Sequence, residues 1–192
     1  MQQLLVDENE AQSRLGMRIV RLREVPMEAF LAMVEDTRLH DPVTFQRSYG
    51  GASDAPWTEL NYRVYRAHMA LLEAGATRLE RLFLIDELGA VFANGLFRHR
   101  LSSRSLREGG HIGYEVPPLR RGRGYGKLFL RLALARAMTK GLTRILITCN
   151  EENEGSRRII ESAGGKLENR VVSSEPANEG RIVNRYWFEL AA

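Results

Sequence analysis

Three glycines in five residues, Gly122, Gly124 and Gly126, stand among four cationic side chains, Arg120, Arg121, Arg123 and Lys127. The stretch around them, HIGYEVPPLRRGRGYGKLFLRLALARAM from His111 to Met138, reads as a strand, a double-proline stop, a glycine-rich turn and a helix. Such a turn aims several backbone N–H groups at one point at a helix N-terminus, which makes an anion site. Side chains at the glycine positions would keep a phosphate from approaching the backbone. Arginine also makes a better fork for phosphate oxygens than lysine does. The expected ligand is a phosphorylated cofactor.

Other phosphate motifs do not fit. A dinucleotide fingerprint places its last glycine where this chain has Phe129, and it follows an early strand of a parallel unit. A P-loop needs Ser or Thr after its lysine, but Lys127 is followed by Leu128. The basic set from Arg98 to Arg131 lacks the interleaved exposed aromatics of a nucleic-acid surface. The four histidines, His40, His68, His99 and His111, show no metal-ligand spacing, and Cys149 is the sole cysteine, so neither a cysteine-based metal cluster nor an internal disulfide is available. We read Cys149 as a buried structural thiol and His99 as solvated or ion-paired. Trp57, Tyr62 and Tyr65 are read as aromatics that pack in the core or line the acceptor cleft.

The elements that must position this turn follow from periodicity. Met17 to Leu22 is a first strand. Pro26 opens a helix with Met27, Phe30, Leu31 and Val34 on one side. Residues 40–56, with two prolines and a Gly-Gly pair, read as a loop. Trp57 to Glu73 is a helix whose apolar stripe is Leu60, Val64, Met69 and Leu72, capped by Gly75. From Arg81 the period becomes two, giving two antiparallel strands joined at Glu87, Leu88 and Gly89. A polar loop from Ser102 to Gly110 leads to the strand His111–Val116, which Pro117 and Pro118 end. A helix from Gly124 to Lys140 is apolar nearly all round and therefore buried. Then come the strand ILITC, a helix near Asn153 to Ala163, and two last strands around 166–172 and 181–190. This order makes a mixed α/β sheet with one parallel crossover through the buried helix.

The bulk figures agree with one domain. The chain has 192 residues, 44% hydrophobic and 27% charged, with a net charge of +4. That is ordinary for a globular protein with a sizeable core. Residues 1–16 read as a loose or accessory arm without signal-peptide character. No run approaches about 18 apolar residues, so no membrane span is expected. A single cysteine suits a reducing compartment, and the expected location is cytoplasmic.

The motif Arg121-Gly122-Arg123-Gly124-Tyr125-Gly126, followed by TCNEENEGSRRIIESAGGKLE and RYWFEL, resembles the GCN5-related N-acetyltransferase (GNAT) superfamily, in a bacterial-type branch. The resemblance is clearest from Phe83 to Leu190. It implies a mostly antiparallel twisted sheet with helices on both faces and one parallel pair splayed to admit coenzyme A. It implies acetyl transfer from acetyl-CoA to a primary amine of a small molecule, peptide or protein, by direct attack and without a metal. On this resemblance Tyr114 to Val116 would pair with the pantetheine arm. The N–H groups from Arg121 to Gly126 would hold the pyrophosphate, and Asn153 would face the arm from the far side.

A thioester is already activated, so the remaining tasks are to align the reactants, take a proton from the ammonium and stabilise an oxyanion. The N–H near Val116 is the expected oxyanion donor, and Glu115 the expected base. The tyrosine that often protonates the leaving thiolate in this family aligns with Ile160 here. Tyr114, Tyr125, Tyr186 or water would substitute. That departure leaves a second reading open, an acyl-CoA-binding sensor without turnover. The acceptor is expected against residues 26–75, where Glu35, Asp36, Asp54 and Glu59 could draw a cationic amine. The resemblance also allows a homodimer.

Overall fold

The computed structural model describes residues 16–50, 55–76, 78–174 and 179–190. Most of the expected arm and Asp54 lie outside these residues. Among these residues seven strands form two antiparallel ladders. The first holds β1 (Arg18–Arg21), β2 (Leu79–Ile85), β3 (Val91–Arg98) and β4 (Ile112–Glu115) in that order. The second holds β5 (Arg144–Asn150), β7 (Ile182–Glu189) and β6 (Lys166–Val172), with β7 in the middle. This is the mixed α/β, mostly antiparallel architecture expected from the sequence.

The two ladders meet at one point. The His111 N–H donates to the Leu146 carbonyl at 2.7 Å, and the Leu146 N–H returns to His111 Nδ1 at 2.9 Å. Gly110 permits the meeting: its φ is 63°, and a Cβ there would sit 2.6 Å from the Leu146 oxygen. Beyond His111 the strands part. β4 continues to pair with β3 alone, and β5 with β7 alone.

The helices fill both faces. α1 (Met27–His40), α2 (Pro42–Tyr49) and α3 (Glu59–Ala74) cover one side of the first ladder. There Phe30, Met33, Val34, Phe45, Tyr62 and Met69 pack on Val20, Phe83 and Ile85. α4 (Tyr125–Thr139) and α5 (Glu154–Ser162) lie on the other side. α4 buries Phe129, Leu130, Ala133, Leu134 and Ala137 against Leu82, Leu84, Phe97 and Ile112 of the first ladder and Ile145 and Ile147 of the second. It is the element that holds the two ladders together, which is why it is apolar nearly all round.

Two expectations are corrected. The segment 40–56 is not all loop, since α2 occupies Pro42–Tyr49. Asp41 caps it, accepting from the Thr44 N–H at 3.1 Å, and Pro42 fills a first-turn position where no donor is needed. The Asp-Pro pair was a helix start rather than a turn signal. In α3 the expected stripe is in the wrong phase. Leu60, Val64 and Leu72 are exposed, and the inward side is Tyr62, Tyr65 and Met69. Trp57, Tyr62 and Tyr65 gather around Phe30, with ring centroids 5.1 to 6.1 Å from it.

Candidate functional site

The parting of β4 from β5 leaves the outer edge of β4 open. The Arg98 N–H donates to the His111 carbonyl. Strand alternation therefore turns the main-chain groups of Gly113 and Glu115 toward β3, and those of Tyr114 and Val116 into the gap. The same alternation sends the Tyr114 side chain to the α4 side and the Glu115 side chain to the opposite one. Across the gap the Tyr114 hydroxyl lies 3.1 Å from Ser156 Oγ. Burial pushes the Tyr114 hydroxyl up to about 12.

The glycine turn closes one end of the gap. Gly122 and Gly124 have φ of 74° and 84°, left-handed values that favour glycine, and a Cβ at either would meet nothing within 4 Å. No side chain caps α4 at Gly124. The N–H groups of Tyr125, Gly126 and Lys127 belong to the first helical turn and lack intrahelical partners. Arg123 and Lys127 are exposed beside them. Gly126 has a separate role: a Cβ there would lie 3.0 Å from Ile159 Cδ1, 3.4 Å from Val116 Cγ2 and 3.5 Å from Tyr114 Cε2. The missing side chain lets the helix start sit against both walls of the gap.

Arg121 is already engaged. Its N–H donates to the Pro118 carbonyl at 3.2 Å, its Nε to the Val116 carbonyl at 3.0 Å, and Nη2 to Asp41 at 2.5 Å. The amides left for a ligand therefore begin at Gly122. The Tyr125 ring packs at a tilt against Phe92, with centroids 4.8 Å apart, and the Arg120 guanidinium covers the Phe92 ring at 4.5 Å. Asn153 caps α5, accepting from the Ser156 N–H at 3.0 Å, and also lines the cleft described next.

A cleft of about 860 Å³ runs from Ser156 and Asn153 through the gap to the face of the first ladder away from α4. Glu115 stands in it. The Ser48 hydroxyl donates to Oε2 at 2.8 Å and the Tyr49 hydroxyl to Oε1 at 2.9 Å, while the Arg81 guanidinium lies 3.5 Å from Oε1. Arg81 is buried and also donates to Asn94. Burial and the Glu115 carboxylate hold the Tyr49 hydroxyl well above the usual phenol range. Sequence reasoning missed Ser48, Tyr49, Arg81 and Asn94. The available signal was parity: Arg81 and Asn94 are polar residues at inward positions of apolar strands.

The remaining candidates have surroundings of their own. Cys149 lines the cleft, but burial pushes its thiol up to about 11, so it is a neutral thiol and a poor nucleophile at pH 7. His99 Nε2 pairs with Glu80 Oε1 at 2.7 Å on the α4 side. Ile160 is fully buried in the core. The Tyr186 hydroxyl donates to Glu161 at 2.8 Å. Among the described residues no cluster of metal-ligating side chains occurs, and no helix is long and apolar enough to cross a membrane.

Comparison with known proteins gives a consistent picture. Residues 14–166 match the family described as acetyltransferase (GNAT) domain. No curated protein matches the chain. Similar solved structures include RimL, a ribosomal L7/L12 alpha-N-protein acetyltransferase in complex with coenzyme A. It is 15% identical with a TM-score of 0.66, over 91% of this chain and 94% of that one. Spermidine N-acetyltransferase from Vibrio cholerae, in complex with CoA and spermine, is 15% identical with a TM-score of 0.63, over 90% and 95%. An acetyltransferase of the GNAT family from Bacillus anthracis is 18% identical with a TM-score of 0.62, over 90% and 94%.

Proposed function

The chain belongs to the GNAT acetyltransferase family, and from that premise we propose that it moves the acetyl group of acetyl-CoA to a primary amine within a ternary complex. One observation carries the reading: an open strand edge runs between an uncapped glycine turn on one side and a cleft holding Glu115 on the other. The turn fits a pyrophosphate, since its left-handed glycines leave space where side chains would stand.

The thioester supplies an activated acyl group. The amides from Gly122 to Lys127, with Arg123 and Lys127, bind the phosphates. Tyr114 pairs along the arm with its main-chain groups, Val116 follows it at the thioester end, and Asn153 faces the arm from α5. The Val116 N–H donates to the acyl oxygen as it gains charge. Glu115 accepts the ammonium proton, through water or the Ser48 hydroxyl that already touches Oε2. Attack by the free amine then expels the CoA thiolate. Tyr114, raised to about 12, is a hydrogen-bond donor to that thiolate rather than its acid; water returns the proton. A lone thiol suits a reducing compartment, and we infer a cytoplasmic location from it.

The test is incubation with labelled acetyl-CoA and a panel of amines. Label on an amine supports the reading. Tight CoA binding with only slow hydrolysis would favour a sensor, a role that the buried Ile160 keeps in view.

A further inference from the structure

Four arginines, Arg47, Arg81, Arg98 and Arg104, line the cleft against two glutamates, Glu108 and Glu115. Both glutamates are occupied. Glu115 holds Ser48, Tyr49 and Arg81, and Glu108 holds Ser173, the Ser174 N–H at 3.1 Å and Arg107 at 3.2 Å. Arg98 is half-buried and donates to the carbonyls of Gly109 and Gly110 at 3.3 and 3.2 Å, with no carboxylate among those contacts. Burial and the charges of Arg104 and Arg81 hold its pKa below the usual arginine value. Arg98 and Arg104 thus stand near each other on one wall beside the Glu115-paired Arg81, and an arriving anion would ease that repulsion. Arg81 adds a buried Nε with no partner.

Of the acids expected to draw a cationic amine, the three among the described residues are engaged elsewhere. Glu35 holds Arg38, Asp36 holds the Leu119 N–H and His40, and Glu59 holds Arg63. The register gives the wall a direction. Glu115 lies opposite Asn94 and Gly113 opposite Leu96. Arg98 is four residues along β3 from Asn94, about 13 Å away at strand spacing. Between them a Cβ on Gly113 would touch nothing within 4 Å, so the floor is open.

We propose that the acceptor is an amine carrying a carboxylate several bonds from its nitrogen, held by Arg98 and Arg104 while the amine stands at Glu115. This rests on the acetyl-transfer reading above. The CoA phosphates do not explain these arginines, because the glycine turn is at the α4 N-terminus and the arginines are on the other face of the ladder. The carboxylate could belong to a free amino acid or to an acidic peptide whose N-terminus is acetylated.

The test compares kcat/KM for ε-aminocaproate, hexylamine and hexamethylenediamine, and for the tripeptides Ser-Asp-Glu, Ser-Asn-Gln and Ser-Lys-Arg. The acidic member of at least one set is expected to be preferred by about tenfold or more, as for one charge-assisted contact. Which set shows the preference identifies the source of the carboxylate. Arg104→Gln, on the exposed rim, should raise KM for the acidic acceptor about tenfold and leave KM for acetyl-CoA unchanged; Arg98→Gln should do the same. Equal rates, a preference for the cationic member, or a preference that survives both substitutions would overturn the inference. So would a rise in KM for acetyl-CoA. No transfer to any of the six would overturn the acetyl-transfer reading along with it.

Discussion

Glu115 is the residue on which turnover should depend. It carries two hydroxyl donors and a guanidinium at the open edge of β4. Glu115→Gln should lower kcat by about a hundredfold, the usual scale for a lost general base, and leave CoA affinity nearly unchanged. It should also lower the melting temperature, because Arg81 is left buried without its counter-charge. Steady-state kinetics beside a thermal melt check both, and wild-type kcat in the variant would retire Glu115 as the base. Gly124→Glu should weaken CoA binding strongly by setting a carboxylate among phosphates. Gly124→Asn tolerates the left-handed backbone and separates the charge effect from strain. Calorimetry on both reads the difference. The glycine turn was legible because its residues are consecutive. The Arg81 network was not, since Ser48, Arg81, Asn94 and Glu115 come from four segments that only the strand register and α2 bring together.

Elements succeed or fail here by close approach. α4 reaches the walls of the gap only because Gly126 lacks a side chain. Gly126→Val should push the helix start away from Val116 and Ile159. Overpacking of this kind costs about 1–3 kcal/mol, and a urea titration should show it, together with weaker CoA binding. Unchanged stability and affinity would mean that the contact is slack. The strand–turn–helix unit could be read in advance because period two, proline stop and glycine turn all agree there. α2 could not, because Asp41-Pro42 signals a turn and a helix start equally well. α3 was misphased because its leucines and valine outnumber its aromatics, whereas the space under it is filled by the rings of Tyr62 and Tyr65 packing on Phe30.

At the scale of the whole molecule, two ladders are joined by α4, by a pair of hydrogen bonds through His111, and by bonds between residues 106–108 and Thr148, Val172 and Arg185. Burial and the nearby Arg98 charge push His111 down to about 4 from 6.5. Its Nδ1 accepts from the Leu146 N–H, so the folded ring is neutral with its proton on Nε2. The unfolded chain binds that proton first. Stability is therefore fully present above pH 6.5 and falls as pH drops toward 4, by on the order of 3 kcal/mol. That is a large share of the total for a domain. Urea midpoints measured between pH 7 and about 5.5, above most carboxylate titration, should fall for the native chain and stay flatter for His111→Asn. Equal slopes would remove His111 as the source.

In the proposed complex, phosphates dock on the main chain from Gly122 to Lys127 while the thioester lies along Tyr114 and Val116. A crystal structure with coenzyme A bound tests it most directly. The pyrophosphate is expected within hydrogen-bond distance of those amides and the sulfur beside Val116, facing Glu115. Coenzyme A bound elsewhere, with the gap between β4 and β5 empty, would contradict it.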